Sequence, residues 1–171
     1  MTRELTLTDI AGYLPHKLQL FFSHYGEIET ANIWNLQGAI LTNFKPVLRP
    51  MSDLCVEITD KDYNGGKLFV PIVELANLVG ESKIYQWKPH SDGRCAFSPE
   101  AMDYFRWLEE EKSFIHSLSY CGFSTGYVIF NQHEMYDLLH RLHFDYRGLI
   151  DAGLAVSVHD LKRNPYEAAN N

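Results

Sequence analysis

The chain lacks a cluster of basic residues. Lys and Arg total 15 against 22 Asp and Glu, for a net charge of −7, and the longest basic run is the pair Lys162-Arg163. Proteins that hold nucleic acid by its phosphates show a basic patch that displaces counterions, so its absence argues against a nucleic-acid partner. No apolar run approaches the ~20 residues of a membrane span, and no membrane association is expected. The opening MTRELTLTDI has no apolar signal core, so the expected location is the cytoplasm in which the chain is made. Cysteine is scarce and unpaired in pattern. Cys55, Cys95 and Cys121 are odd in number and form no CxxC. That argues against a disulfide framework or a thiolate zinc site and suits a reducing compartment.

What is present is globular. Hydrophobic residues make up 46% and aromatics 13%, enough to form a packed core. There is no repeat, low-complexity tract or interdomain linker. We expect one α+β domain over residues 1–161 and a polar C-terminal tail over 162–171, KRNPYEAANN, that frays. The acidity suits a basic partner surface, or simply keeps a small protein soluble.

Local signals place the elements. Thr8 can cap a short helix over Asp9 to Tyr13, stopped before Pro15. Lys17 to Phe22 and Ile28 to Leu36 read as strands around a turn at His24 to Gly26, and Ala39 to Phe44 as a further strand. Asn64-Gly65-Gly66 and Ser91-Asp92-Gly93 are hairpin turns. The first joins Leu54–Thr59 to Lys67–Val70, and the second Lys83–Lys88 to Arg94–Phe97. Pro71 opens a short helix that Gly80 can close. Ser98-Pro99 starts what reads as a helix through AMDYFRWLEEE, a segment that also alternates enough to be a strand. Ser113 to Tyr120 and Tyr127 to Phe130 are strands around a Gly-containing turn. Strands joined by hairpins and few helices imply a largely antiparallel sheet.

The sheet is expected to pack on one long C-terminal amphipathic helix, Phe130 to Ala155. Asn131 and Glu134 resemble a capping box, with Phe130 and Met135 as a hydrophobic staple. Met135, Leu138, Leu139, Leu142, Tyr146, Leu149 and Ile150 form one apolar stripe. Gly153 can take the left-handed terminal position, with Leu154 packing back on Leu149. Gly148 costs about 1 kcal/mol inside a helix and allows a break near Asp145 to Gly148. Phe144 falls opposite the stripe, with His140 and Arg147 beside it, so these three are the candidate interaction residues.

Chemistry is sparse. His133, Asp137 and His140 stand at i, i+4 and i+7 and form a candidate divalent-metal triplet. The HExxH signature is missing, and a solvated polar face is the plainer reading. Gly122-Phe123-Ser124-Thr125-Gly126 matches the GxSxG of a nucleophile elbow. The residues that follow are strand-formers, however, and the partners Asp137 or Asp145 and His159 are not distinctive. Asp60, Asp62 and Asn64 mimic the start of a calcium loop, but Pro71 stands where its last ligand would be. Cys121 reads as a core thiol, and Trp34, Trp87 and Trp107 as core aromatics. No catalytic residue and no cofactor is nominated.

Lys45 to Leu54, KPVLRPMSDL, and Leu139 to Ala155, LHRLHFDYRGLIDAGLA, resemble segments of a group of uncharacterised small proteins of phages, prophages and mobile elements of gut Bacteroidetes. AGYLPHKLQL and Asn164-Pro165-Tyr166 resemble their two ends. His143, Phe144, Asp145, Gly148 and Gly153 fit the HFDxxGLIxxGLA pattern, whereas at His140 an aromatic is expected. The resemblance implies phage or prophage origin and action inside a bacterial cytoplasm. It carries no catalytic residue.

The reading is a non-enzymatic phage or mobile-element accessory protein acting through contacts with a protein partner or as a homo-oligomer, in one form against a host defence protein. The alternative is a metal-dependent enzyme or nucleic-acid-processing protein built on His133, Asp137 and His140.

Overall fold

The computed structural model describes residues 3–32, 34–36, 44–79, 87–96, 103–120, 123–129 and 132–167. They form two compact units, one of Met1–Met51 with Leu139–Asn171 and one of Ser52–Leu138.

The first unit begins with a helical turn, α1 (Leu7–Ile10), that continues as a 3-10 helix over Ala11–His16. Its cap is Thr6, not Thr8. The Asp9 carboxylate accepts from the Thr6 backbone N–H at 2.9 Å and from its hydroxyl at 2.8 Å. Pro15 lies inside the 3-10 turn, where proline's missing donor costs little. Strands β1 (Gln19–Phe22), β2 (Glu27–Thr30) and β3 (Phe44–Leu48) follow, and the last strand of the chain, β9 (Val156–Ser157), completes the sheet in the order β2-β1-β3-β9. β1 is antiparallel to β2 and β3, and β3 is parallel to β9. The sheet is therefore mixed. The His24–Gly26 turn is present, closed by Gly26 N–H on Phe22 O at 2.8 Å with Gly26 at φ 69.

Successive strand residues point to opposite faces. Leu20 and Leu48 accordingly join Ile10, Tyr13, Leu18, Leu149 and Ala155 in one core cluster, while their neighbours Phe21 and Val47 pack with Val158 and Tyr166 in another. Each such fully buried aliphatic side chain stabilises by roughly 1.5–3 kcal/mol. Tyr166 falls in the segment expected to be a fraying tail, yet it is buried. Its hydroxyl donates to Val47 O at 2.8 Å and accepts from Gln19 N–H at 3.1 Å.

The second unit holds α2 (Pro71–Asn77), β4 (Lys88–Pro89), β5 (Cys95–Ala96), β6 (Tyr104–Leu108), β7 (Ser113–Tyr120), β8 (Phe123–Val128) and the first part of α3 (Gln132–Arg141). Its antiparallel sheet runs β4-β5-β6-β7-β8. Pro71 does open α2, and Gly93, at φ 80, turns β4 into β5. The Asn64–Gly66 turn is reached through three successive left-handed residues and leaves a single antiparallel bridge, Ile58 to Phe69. The stretch that reads as a helix after Pro99 is strand β6 from Tyr104. It gains ladders on both sides, Cys95 to Phe105 and Tyr104–Leu108 to Ser113–Ser117. Cross-strand pairing of Phe105 and Trp107 with Phe114, at 5.1 and 4.8 Å between rings, outweighs the weak local helix preference.

Two further expectations are corrected. Ser124 lies within β8, opposite Ser119, so the GxSxG stretch is ladder and not a strand-to-helix elbow. Trp34 is 82% exposed and is not core, while Trp87 is buried. Cys121, Phe130 and Asn131, and with them the capping box and staple, lie outside the described residues, as do Ala39–Asn43, Gly80 and Ser98-Pro99. Among the described residues no helix is long and apolar enough to cross a membrane.

Candidate functional site

The long helix expected over Phe130 to Ala155 ends at Arg141. The reason is a left-handed residue earlier than either glycine. His143 stands at φ 61. Its N–H donates to His140 O at 3.1 Å, and Phe144 N–H donates to Leu139 O at 2.9 Å. These are the two bonds of a Schellman terminator, here built on histidine instead of glycine. The imidazole stacks on the Tyr166 ring, centroids 3.8 Å apart and 11° from parallel.

The released chain pairs at once with β3's extension. Arg49 N–H donates to His143 O at 2.7 Å and Asp145 N–H donates to Arg49 O at 2.8 Å, a parallel bridge centred on Phe144. Asp145 then turns the chain. Its carboxylate accepts from Leu149 N–H at 2.8 Å and Ile150 N–H at 2.7 Å, and Gly148 follows at φ 71. A second terminator closes the segment, with Gly153 at φ 70 and Leu154 N–H on Leu149 O at 2.8 Å. The terminal role expected for Gly153 is therefore present, on a short turn and not on a long helix.

This path brings a polar aromatic cluster together. Tyr146 OH lies 2.9 Å from His140 Nε2 and accepts from Arg147 Nε at 3.1 Å. The guanidinium carbon sits 5.2 Å from the Tyr146 ring centre. A guanidinium only donates, so the phenol oxygen is an acceptor toward Arg147, and its own proton is available to a neutral His140. Tyr13 meets the His140 ring edge-on at 4.8 Å and donates its hydroxyl to Phe144 O at 2.7 Å. Burial, with smaller contributions from Tyr146 and Asp145, pushes the Tyr13 phenol far above its ordinary value. It stays a donor throughout the working pH range. Gly12 leaves room for the imidazole. A Cβ at that position would stand 2.4 Å from His140 Cε1 and Nε2.

Of the candidate interaction residues, His140 and Arg147 meet on one hydroxyl, and both are half-buried. Phe144 is 0% exposed; its carbonyl accepts from the Tyr13 hydroxyl and its N–H donates to Leu139 O. It is not a surface contact. The metal triplet is not assembled. His133 and Asp137 are exposed, His140 is turned onto Tyr13 and Tyr146, and among the described residues no three His, Cys, Asp or Glu are placed to hold a metal ion. Sequence reasoning missed Tyr13, Tyr146 as a polar partner, and the buried Arg49. Gly12 and Tyr13, Arg49, His140 to Arg147, and Tyr166 all lie in the first unit.

No protein-family model, curated protein or solved structure matches the chain.

Proposed function

We propose that this chain is a non-enzymatic accessory protein of a phage or mobile element that acts through a protein partner in the cytoplasm of a bacterial host. The contact is made by Tyr146 and Arg147, with His140 behind them. The observation that supports this is the convergence of His140 and Arg147 on the Tyr146 hydroxyl in a half-exposed position. Tyrosine and arginine dominate protein contacts when they are held rigid at the surface. Here the turn that holds them is tied down on both sides by Asp145 and by the Arg49 bridge. Little ordering entropy is therefore left to lose on binding.

Arg147 uses Nε on Tyr146, and among the described residues nothing occupies its two terminal nitrogens. They are donors for a carboxylate or main-chain carbonyl of the partner. The cluster offers no nucleophile and no paired carboxylates, which favours contact over catalysis. The metal-dependent alternative draws nothing from the geometry, since His140 faces Tyr146 and not His133 and Asp137.

The test is cross-linked affinity capture from a host lysate with the wild type, Arg147→Glu and Tyr146→Ala, each verified as folded by circular dichroism. A protein recovered by the wild type and lost with both variants supports the contact. Equal recovery by all three removes it.

A further inference from the structure

Strands β5, β6 and β7 carry their core on one face. Cys95, Phe105 and His116 stand in one cross-strand row there, and all three are buried. The other face is cationic. In an antiparallel pair, the register that sets Cys95 against Phe105 also sets Arg94 against Arg106 and Ala96 against Tyr104. Lys88 pairs with Ala96 from the far side. Residues directly opposite share a face, and alternate residues of one strand do too. Lys88, Arg94, Tyr104 and Arg106 therefore stand together. Both guanidinium groups meet one ring, with Arg94 Cζ 5.3 Å and Arg106 Cζ 5.7 Å from the centre of Tyr104.

Like charges directly opposite destabilise a sheet. The Asp92 carboxylate accepts from Arg94 Nε at 2.6 Å and from Arg94 N–H at 3.1 Å. Arg106 has no such acid on its Nε, which is buried and has no hydrogen-bond partner among the described residues. The ring face of Tyr104 supplies cation–π attraction but no oxygen for the guanidinium fork. A buried, unanswered donor on a charged group costs free energy unless an ion or another acceptor meets it.

We propose that Arg94 and Arg106 hold a phosphate dianion, free or as a small monoester, beside Tyr104, with Lys88 at its margin. A dianion cancels the two opposed charges, and its oxygens match the guanidinium fork. A carboxylate carries one charge and leaves the other unanswered. A nucleic-acid backbone needs a longer basic track than these three cations offer. The cluster lies wholly in the second unit and does not depend on the contact proposed at Tyr146.

The experiment is calorimetric titration of the full chain at low ionic strength with inorganic phosphate, phenyl phosphate and acetate, with hydrogen exchange read by mass spectrometry in each. The expected result is one saturable phosphate site, with residues 88–96 and 104–108 gaining protection and acetate binding at least about tenfold more weakly. Tighter binding of phenyl phosphate than of inorganic phosphate assigns the site to a monoester, and the reverse order to the free anion. Arg94→Gln and Arg106→Gln should each weaken phosphate binding at least about tenfold. Lys67→Gln removes the same charge from an exposed position of this unit and should leave binding unchanged. A wild type with no saturable phosphate binding overturns the proposal. So does acetate bound as tightly as phosphate, an equal loss with Lys67→Gln, or protection that maps elsewhere. An Arg106→Gln variant that melts lower without ligand yet binds phosphate like the wild type overturns it too, because the arginine is then only a brace for Tyr104. If Arg106→Gln does not fold, Arg94→Gln and the wild-type exchange map decide.

Discussion

Arg49 and Phe144 are bridged main chain to main chain across 95 positions of sequence. The Arg49 N–H and C=O both bond to the residues flanking Phe144, at 2.7 and 2.8 Å. The Arg49 side chain, 1% exposed, donates its Nε to Leu142 O at 3.1 Å. One residue therefore holds the loop after α3 by backbone and by side chain, and also lies 5.6 Å from the Tyr166 ring centre. Arg49→Met keeps most of the volume and removes the buried donor. It should cost about 2–4 kcal/mol, read as a lower urea midpoint with an unchanged slope.

His143 occupies a backbone conformation that favours glycine. His143→Ala keeps the left-handed strain and loses the Tyr166 stack. His143→Gly loses the stack but relieves the backbone. The glycine variant should therefore be more stable than the alanine variant by about 1 kcal/mol, although it removes more side chain. Thermal melts of the two variants side by side check the order.

Gly12 and His140 are coupled by space. Gly12→Ala drives a methyl group into the imidazole and should destabilise by about 1–3 kcal/mol. In a His140→Ala background the same change should cost far less. A double-mutant cycle in urea measures the difference; additive costs would show that the ring moves aside freely.

Asp9 gives a pH signature. Burial works to raise its pKa, but hydrogen bonds from Thr6 and Arg3 and the Arg3 charge outweigh it, and the value falls below the ordinary 3.8. The folded state thus binds this proton less tightly than the unfolded chain does. Its stabilisation is complete above 3.8 and is lost as pH falls through the lower folded value. Asp9→Asn should cost about 1 kcal/mol at neutral pH, and that gap should close in melts taken in strong acid.

Cys95 is buried, and burial pushes its thiol up to about 12, with Cys55 adding to the effect. Alkylation at pH 8 followed by peptide mapping should leave Cys95 unmodified in the native protein and modify it in urea, because the reactive thiolate is absent at that pH.

The sequence carried the local rules well. Pro71 opening α2, Gly26 and Gly93 in their turns, and Gly153 in the left-handed position all follow from the φ each residue permits. The helix ends ahead of its glycines because His143 takes the left-handed position that glycine usually fills. Leu142 and Leu149 fit one helical stripe in sequence, yet they are buried on either side of a turn that His143 imposes. Periodicity cannot separate a continuous helix from two segments that keep their apolar residues in phase.

The candidate site was half legible for the same reason. His140 lies on α3, whereas Arg147 is reached only by projecting that helix past its end at Arg141. They still converge, because the Asp145 turn carries Tyr146 back within hydrogen-bond reach of both. Sequence alone determined the α+β class, the positions of the tight turns and the lack of a basic run, all of which depend on neighbouring residues or on composition. Only the tertiary structure decided that β6 is a strand, that α3 stops at Arg141, and that Phe144 and Tyr166 are buried. Those outcomes rest on partners far away in sequence, Phe114 for β6, Arg49 for the loop and Val47 for Tyr166, and no local propensity encodes them.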